Sequence, residues 1–243
     1  MAIKNSSELM GEAMLRAREH WRSPDSGDTS HIATAQRKPT TATYTITLSR
    51  ESGAGGAAVA RELGRLLEWP VYDRELLERI AEETGLRSEL LESLDEKRSH
   101  WLVETLESLS GVGFMSGAGY ARYLAETMLA LASHGNCVIV GRGSTSLVPR
   151  ASSLRVRLVA SLEDRTERTR QRLNLSKAAA LAHVRETDAH REGFVKDYLH
   201  HQVGDPHEYD LIINTSRFSI SESAQMIITA LHQLQKPVSE QVT

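Results

Sequence analysis

The chain has 243 residues, 40% apolar and 25% charged, enough for one large domain with small appendages. Its net charge of −3 implies no general affinity for nucleic acid or an anionic membrane. A single cysteine, Cys137, rules out an internal disulfide and a thiolate-rich zinc site and fits a reducing compartment.

In chain order, residues 1–43 read as an appendage. Asn5 and Glu8 have capping-box spacing, and Leu9, Met10, Ala13, Met14, Ala17 and Trp21 form a helical apolar stripe. The stripe is expected to dock on the core or on another subunit, with core packing the simpler choice. Glu8, Glu12 and Glu19 interrupt any secretory signal, and no apolar run approaches the ~18 residues that cross a bilayer, so a cytoplasmic protein is expected. After Trp21 the chain turns polar and reads as a flexible linker.

From Tyr44 short β-rich runs alternate with helical ones. Residues 44–48, 69–72, 137–140, 154–159 and 209–213 read as strands. Residues 57–68, 74–84, 88–109, 118–134, 162–174, 177–201 and 219–235 read as helices. Such alternation argues for an α/β fold with a parallel sheet covered on both faces. A glycine-rich stretch, Gly111–Gly119, marks a break between two of the helices, and residues 236–243 form a tail.

Charge is uneven. Residues 89–107 carry six acids and two bases, whereas residues 142–172 carry eight arginines and three acids. Solvated helix faces explain both runs, but arginine forks also match phosphate oxygens bidentately.

The sharpest local feature is the run Thr45–Ala60. A strand feeds the glycine-rich turn Ser49-Arg50-Glu51-Ser52-Gly53-Ala54-Gly55-Gly56, and a helix opens near Ala57. That arrangement aims unpaired N–H groups and the positive helix end at one point, where an anion is favoured. The turn departs from the Walker A pattern G-x-x-x-x-G-K-[ST]: Arg50 takes the first glycine position and Gly56 that of the lysine. A tight strand-to-helix turn without a ligand is the alternative.

The turn, Tyr72-Asp73-Arg74-Glu75-Leu76-Leu77, Val138-Ile139-Val140-Gly141-Arg142-Gly143, Arg185-x-x-Asp188-x-x-Arg191 and Asp205–Asn214 occur in that order. In this the chain resembles, from residue 44 to about 232, the cytidylate-kinase-like family. This is a divergent branch of the P-loop nucleoside monophosphate kinases whose loop also lacks the Walker lysine. The resemblance implies a P-loop kinase fold with a five-stranded parallel sheet in residues 44–235. It also implies a monophosphate-binding insert at 86–135 and an arginine-bearing helical lid at about 174–204. The implied donor is ATP with Mg²⁺, and the implied acceptor is a nucleoside monophosphate such as CMP or dCMP.

By the same resemblance, Ser52, Gly53, Ala54, Gly55, Gly56 and Ala57 hold the donor phosphates. Arg50 or a lid arginine stands in for the missing lysine. Arg79, Arg142 and Arg165 match arginines that gather around the acceptor phosphate. The alternatives are a loop-surface arginine for Arg142 and ordinary helix ion pairs for Arg79 and Arg165. In the lid, Arg185 and Arg191 would close on the phosphates, with Asp188 orienting them or touching the base; an i,i+3 ion-pair ladder is the plainer reading. Asp73 is either a contact to the metal's water or the acceptor sugar, or a helix N-cap. His183, His190, His200, His201 and His207 lack metal-ligand pairing and read as solvated. Trp101 and Phe114 read as core or subunit contacts. A homo-oligomer through the insert or the N-terminal helix is compatible with these patterns. Two rival functions remain: a nucleotide-binding regulator without turnover, suggested by Gly56, Ala57 and Ala58, and a kinase of another small acceptor, suggested by the insert.

Overall fold

The computed structural model describes residues 6–22, 43–108, 120–141, 143–199 and 201–236. Five strands form one parallel sheet: β1 Thr45–Arg50, β2 Val71–Tyr72, β3 Cys137–Val140, β4 Ser153–Val159 and β5 Leu211–Asn214, in the spatial order β2-β3-β1-β4-β5. Side chains alternate across a strand, so β2 and β3 serve two cores, whereas β1, β4 and β5 contribute to one. Ile46, Leu48, Val138, Val140, Val156 and Ile213 pack on one face with Val59, Leu63, Ile227 and Leu231. Those helical residues belong to α2 (Gly56–Leu67) and α10 (Ile220–Leu234). Cys137 and Ile139 point the other way, into a core with Leu76, Leu77, Ile80, Met128 and Leu129. That side is built from α3 (Arg74–Glu82), α4 (Thr84–Glu92), α5 (Glu96–Ser108) and α6 (Tyr120–His134).

Helix α1 (Ser6–Arg22) closes this second core. Its stripe buries Ala17 and Trp21, while Arg18 and Arg22 reach Glu89 on α4 at 3.3 and 2.7 Å. His20 bridges Tyr72 Oη at 2.9 Å and the Gly135 carbonyl oxygen at 2.7 Å. The stripe therefore packs on its own chain. Trp101 packs against the same core. The polar linker after Arg22, the glycine-rich break and Phe114 lie outside the described residues.

Most elements fall within a few residues of the sequence reading. The expected helix 88–109 is two helices, because Asp95 accepts the Arg98 N–H at 2.8 Å and starts α5 afresh. The last strand begins at Leu211 because Tyr209 closes a turn that Asp205 caps through the His207 N–H. A one-turn helix, α7 (Ser144–Leu147), follows β3, and α8 (Leu162–Leu173) and the long α9 (Lys177–Leu199) follow β4. Among the described residues no helix is long and apolar enough to cross a membrane.

Candidate functional site

The turn between β1 and α2 is shaped for close approach. Gly53 has φ 82°, and a Cβ there would lie 2.5 Å from the Arg165 carbonyl oxygen. Only glycine meets both conditions. Helix α2 starts at Gly56 with no side-chain cap, so its first N–H groups have no partner within the helix. Together with the helix dipole they make an anion cradle.

Arg50 lies across that cradle. A Cβ on Gly56 would stand 2.7 Å from Arg50 Cγ, and one on Gly141 would overlap Arg50 Nη1. The side chain thus runs over the helix start, past the position where a Walker lysine would stand, and reaches the end of β3. Two glycines make room for one guanidinium.

A buried charge network fixes the turn from behind. Arg165, on α8, is 9% exposed. Its Nε donates to the Ala160 carbonyl at 3.1 Å, and its Nη1 donates to the Ser52 carbonyl at 3.2 Å and to Asp188 Oδ2. Glu51 lies 3.3 Å from Arg165 Nε and accepts the Ala160 N–H at 3.0 Å. Asp188, on α9, also accepts the Ser52 N–H through Oδ1 at 2.7 Å. One turn further, Arg191 Nη1 donates to the Arg50 carbonyl at 3.2 Å. Burial lowers the Arg191 pKa, with Arg172 and Arg74 adding to the effect and Asp188 opposing it. The long helix α9 is therefore tied to the turn by one carboxylate and one guanidinium.

Beside the cradle opens a cleft of about 1040 Å³. Ser49 and Arg50 of β1, Gly141 and Gly143 after β3, His183, Arg191 and Phe194 of α9, and Glu208 and Tyr209 line it. It sits at the carboxyl ends of parallel strands, the usual ligand position in such sheets.

Of the residues singled out in the sequence, Arg50, Ser52, Gly53, Ala54, Gly55, Gly56, Ala57, Asp188 and Arg191 come together at the turn. Four residues have settings other than the leading expectation. Arg185 is exposed and outside the cleft lining, because a three-residue step falls short of a helical turn and two such steps rotate a side chain by about 120°. Arg79 is exposed and pairs with Glu83 at 2.8 Å, as an ordinary helix neighbour would. Arg165 braces the turn from within instead of facing an acceptor. Asp188 hydrogen-bonds Arg165 and the turn, and it acts on Arg191 only through its charge. Asp73 accepts the Leu76 N–H at 3.1 Å as the N-cap of α3. Arg142 lies outside the described residues, although its neighbours Gly141 and Gly143 line the cleft.

His183 and His190 also border the cleft, and His201 lies 3.3 Å from Glu208; His200 is outside the described residues. Among the described residues no group of three or more His, Cys, Asp and Glu could hold a metal ion. Ala57 and Ala58, which occupy the place of the metal-binding hydroxyl, offer no oxygen ligand. The turn fits a polyphosphate, and its one carboxylate, Glu51, is engaged by Arg165 and the Ala160 N–H. The sequence did not single out Tyr209, which lines the cleft, or Arg157 of β4, whose Nη1 donates to Tyr209 Oη at 3.4 Å. The available signal was two arginines, Arg155 and Arg157, in a strand read as interior.

The model of the Cytidylate kinase-like family matches residues 45–217. A cytidylate kinase of Methanothrix thermoacetophila is 27% identical over 191 residues, covering 78% of this chain and 98% of that protein. A second cytidylate kinase, of Methanocaldococcus jannaschii, is 28% identical over 109 residues, covering 44% of this chain and 61% of its own. The crystal structure of an uncharacterized protein from Eubacterium ventriosum superposes with a TM-score of 0.55 at 19% identity, over 78% of this chain and 98% of that one. The last likeness concerns the fold alone.

Proposed function

Because the chain belongs to the cytidylate kinase-like family, we propose that it transfers a phosphoryl group from ATP to a nucleoside monophosphate, CMP or dCMP. The observation that carries this reading is the Arg50 side chain laid across Gly56 at the mouth of a glycine cradle. Phosphoryl transfer requires two phosphates held in line, water kept out and positive charge spread over the moving group. In this reading the N–H groups of Gly53, Gly55, Gly56 and Ala57 hold the donor β-phosphate, those of Ser52 and Ala54 being bonded to Asp188 and to the Glu51 carbonyl. Arg50 supplies the charge that a Walker lysine supplies elsewhere, and Arg191 adds a second guanidinium from the lid. Mg²⁺ bound with the nucleotide would neutralise phosphate charge, and Ala57 and Ala58 would give it no ligand.

The cleft beside Arg50 is then the acceptor pocket. Residues 86–135 act as the monophosphate-binding insert and 174–204 as the lid, with Asp188 and Arg191 as its contacts to the turn. We place the protein in the cytoplasm, consistent with one buried thiol, Cys137.

A coupled assay with ATP, Mg²⁺ and a panel of nucleoside monophosphates tests the proposal. Turnover with CMP or dCMP at the highest kcat/KM is expected. ATP binding without turnover of any acceptor would favour a second reading, a nucleotide-binding regulator. Gly56, Ala57 and Ala58 support that alternative, since the lysine and the metal-binding hydroxyl are both missing.

A further inference from the structure

Among the described residues three arginines are buried: Arg155, Arg157 and Arg165. Arg165 has Asp188 and Glu51, and Arg155 has Glu208 at 3.5 Å. Arg157, on β4 and 9% exposed, makes no ion pair with any described carboxylate. Its Nη1 donates to Ser49 Oγ at 3.1 Å and to Tyr209 Oη at 3.4 Å, and its guanidinium carbon lies 5.5 Å from the Tyr209 ring centroid. A buried cation offered only hydroxyls is costly unless an anion completes it. Both hydroxyl residues line the cleft.

Donor counting shows where that anion belongs. A guanidinium has no acceptor, so Ser49 Oγ and Tyr209 Oη both accept from Arg157. Tyr209 spends its own proton on the Val203 carbonyl oxygen at 2.9 Å. The remaining proton is that of Ser49, which has no acceptor among the described residues: in its long 3.3 Å contact with Tyr209, Oη is the donor and Oγ accepts. An oxygen arriving from the cleft can accept it. On the same sheet face the buried Thr47 Oγ1 and Arg155 Nε have no hydrogen-bond partner among the described residues. The polar floor is thus under-satisfied in more than one place.

We propose that Ser49, charged from beneath by Arg157 and flanked by Tyr209, forms the seat of the acceptor's phosphate. The inference rests on the reading of this cleft as the acceptor pocket and names the group that enters it first. Ser49 immediately precedes Arg50, so its end of the cleft lies next to the cradle, where an in-line acceptor oxygen must be. Ser49 donates to a phosphate oxygen; Arg157 acts through it as a positioning residue.

Calorimetric titration of the full chain with CMP and with cytidine tests this, using the unsubstituted protein, Ser49→Ala, Ser49→Thr and Arg157→Met. Hydrogen bonds to charged groups have a size that predicts a roughly 10- to 100-fold loss of CMP affinity in Ser49→Ala and Arg157→Met. Ser49→Thr should retain affinity, and cytidine binding should not change. Unaltered CMP binding in Ser49→Ala would overturn the proposal, as would equal losses for CMP and cytidine. If the unsubstituted chain binds no CMP, inorganic phosphate serves as the probe in thermal unfolding. A stabilisation abolished by Ser49→Ala supports the seat, and no stabilisation of the unsubstituted chain refutes it. Normal CMP binding without phosphoryl transfer refutes the kinase reading instead and leaves the seat standing.

Discussion

The cradle and the cleft lie side by side on one sheet edge but are built on different principles. The cradle is backbone held by buried charge: Arg165, Glu51 and Asp188 hydrogen-bond the turn 51–53 and its neighbour Ala160. The cleft is side chains on separate elements, many of them partly exposed, including Arg50, Arg191, His183 and Glu208. A backbone cradle recognises any polyphosphate and tolerates little change. A side-chain cleft can be re-lined one residue at a time, so on the proposed function it is the part that would select the acceptor. The two regions meet at Arg50, whose carbonyl is fixed by Arg191 and whose side chain crosses from one to the other.

Substitutions sharpen or break this contrast. The largest effect is expected from Arg165→Ala, which empties the buried guanidinium position and leaves two half-buried carboxylates without their nearest cation. About 3–5 kcal/mol of stability should be lost, measured by urea unfolding. Next, Arg50→Ala should lower kcat by about 10²- to 10³-fold while the urea midpoint stays near its original value, since the proposed role of the residue is in chemistry and not in the fold. A loss of stability as large as that of Arg165→Ala would erase the distinction between the regions.

The sheet that carries both should respond to acid through His134, which is buried against α4 and α5. Burial, with help from His20 and Arg98 and against Asp95, pushes its pKa down from 6.5 to about 3. The unfolded chain takes up a proton near 6.5 that the folded chain refuses, so stability falls as pH drops through that window. By pH 5 the loss is about 2 kcal/mol, and His134→Leu should flatten the profile of urea midpoint against pH.

Gly56→Lys tests whether Arg50 fills the lysine's role. Alone it should lower turnover by about tenfold, because the new side chain collides with Arg50. Combined with Arg50→Gly it should recover, read as kcat at saturating ATP. The smallest effect belongs to Arg79→Ala. The exposed pair with Glu83 contributes at most about 0.5 kcal/mol, and acceptor KM should not move.

The same contrast explains what could be read before the fold was known. The cradle was legible because glycine spacing encodes backbone shape directly, and the alternating strands because buried parallel sheets need apolar runs. Asp73 was legible as a cap for the same local reason. The arginines were not. Arg79, Arg157, Arg165 and Arg185 are chemically identical in sequence, yet one is a surface pair, one lies under the cleft floor, one braces the turn and one faces solvent. Their fates depend on which distant carboxylate, hydroxyl or carbonyl the fold brings near, and on where helical rotation points them.

The most direct measurement follows label from γ-labelled ATP to CMP, with the unsubstituted chain and with Arg50→Ala at matched ATP occupancy. Labelled CDP should form with the unsubstituted chain and about 100-fold more slowly with the variant, ATP affinity being nearly equal in the two. Equal rates in both, or no labelled product from a chain that binds ATP and CMP, would contradict the account.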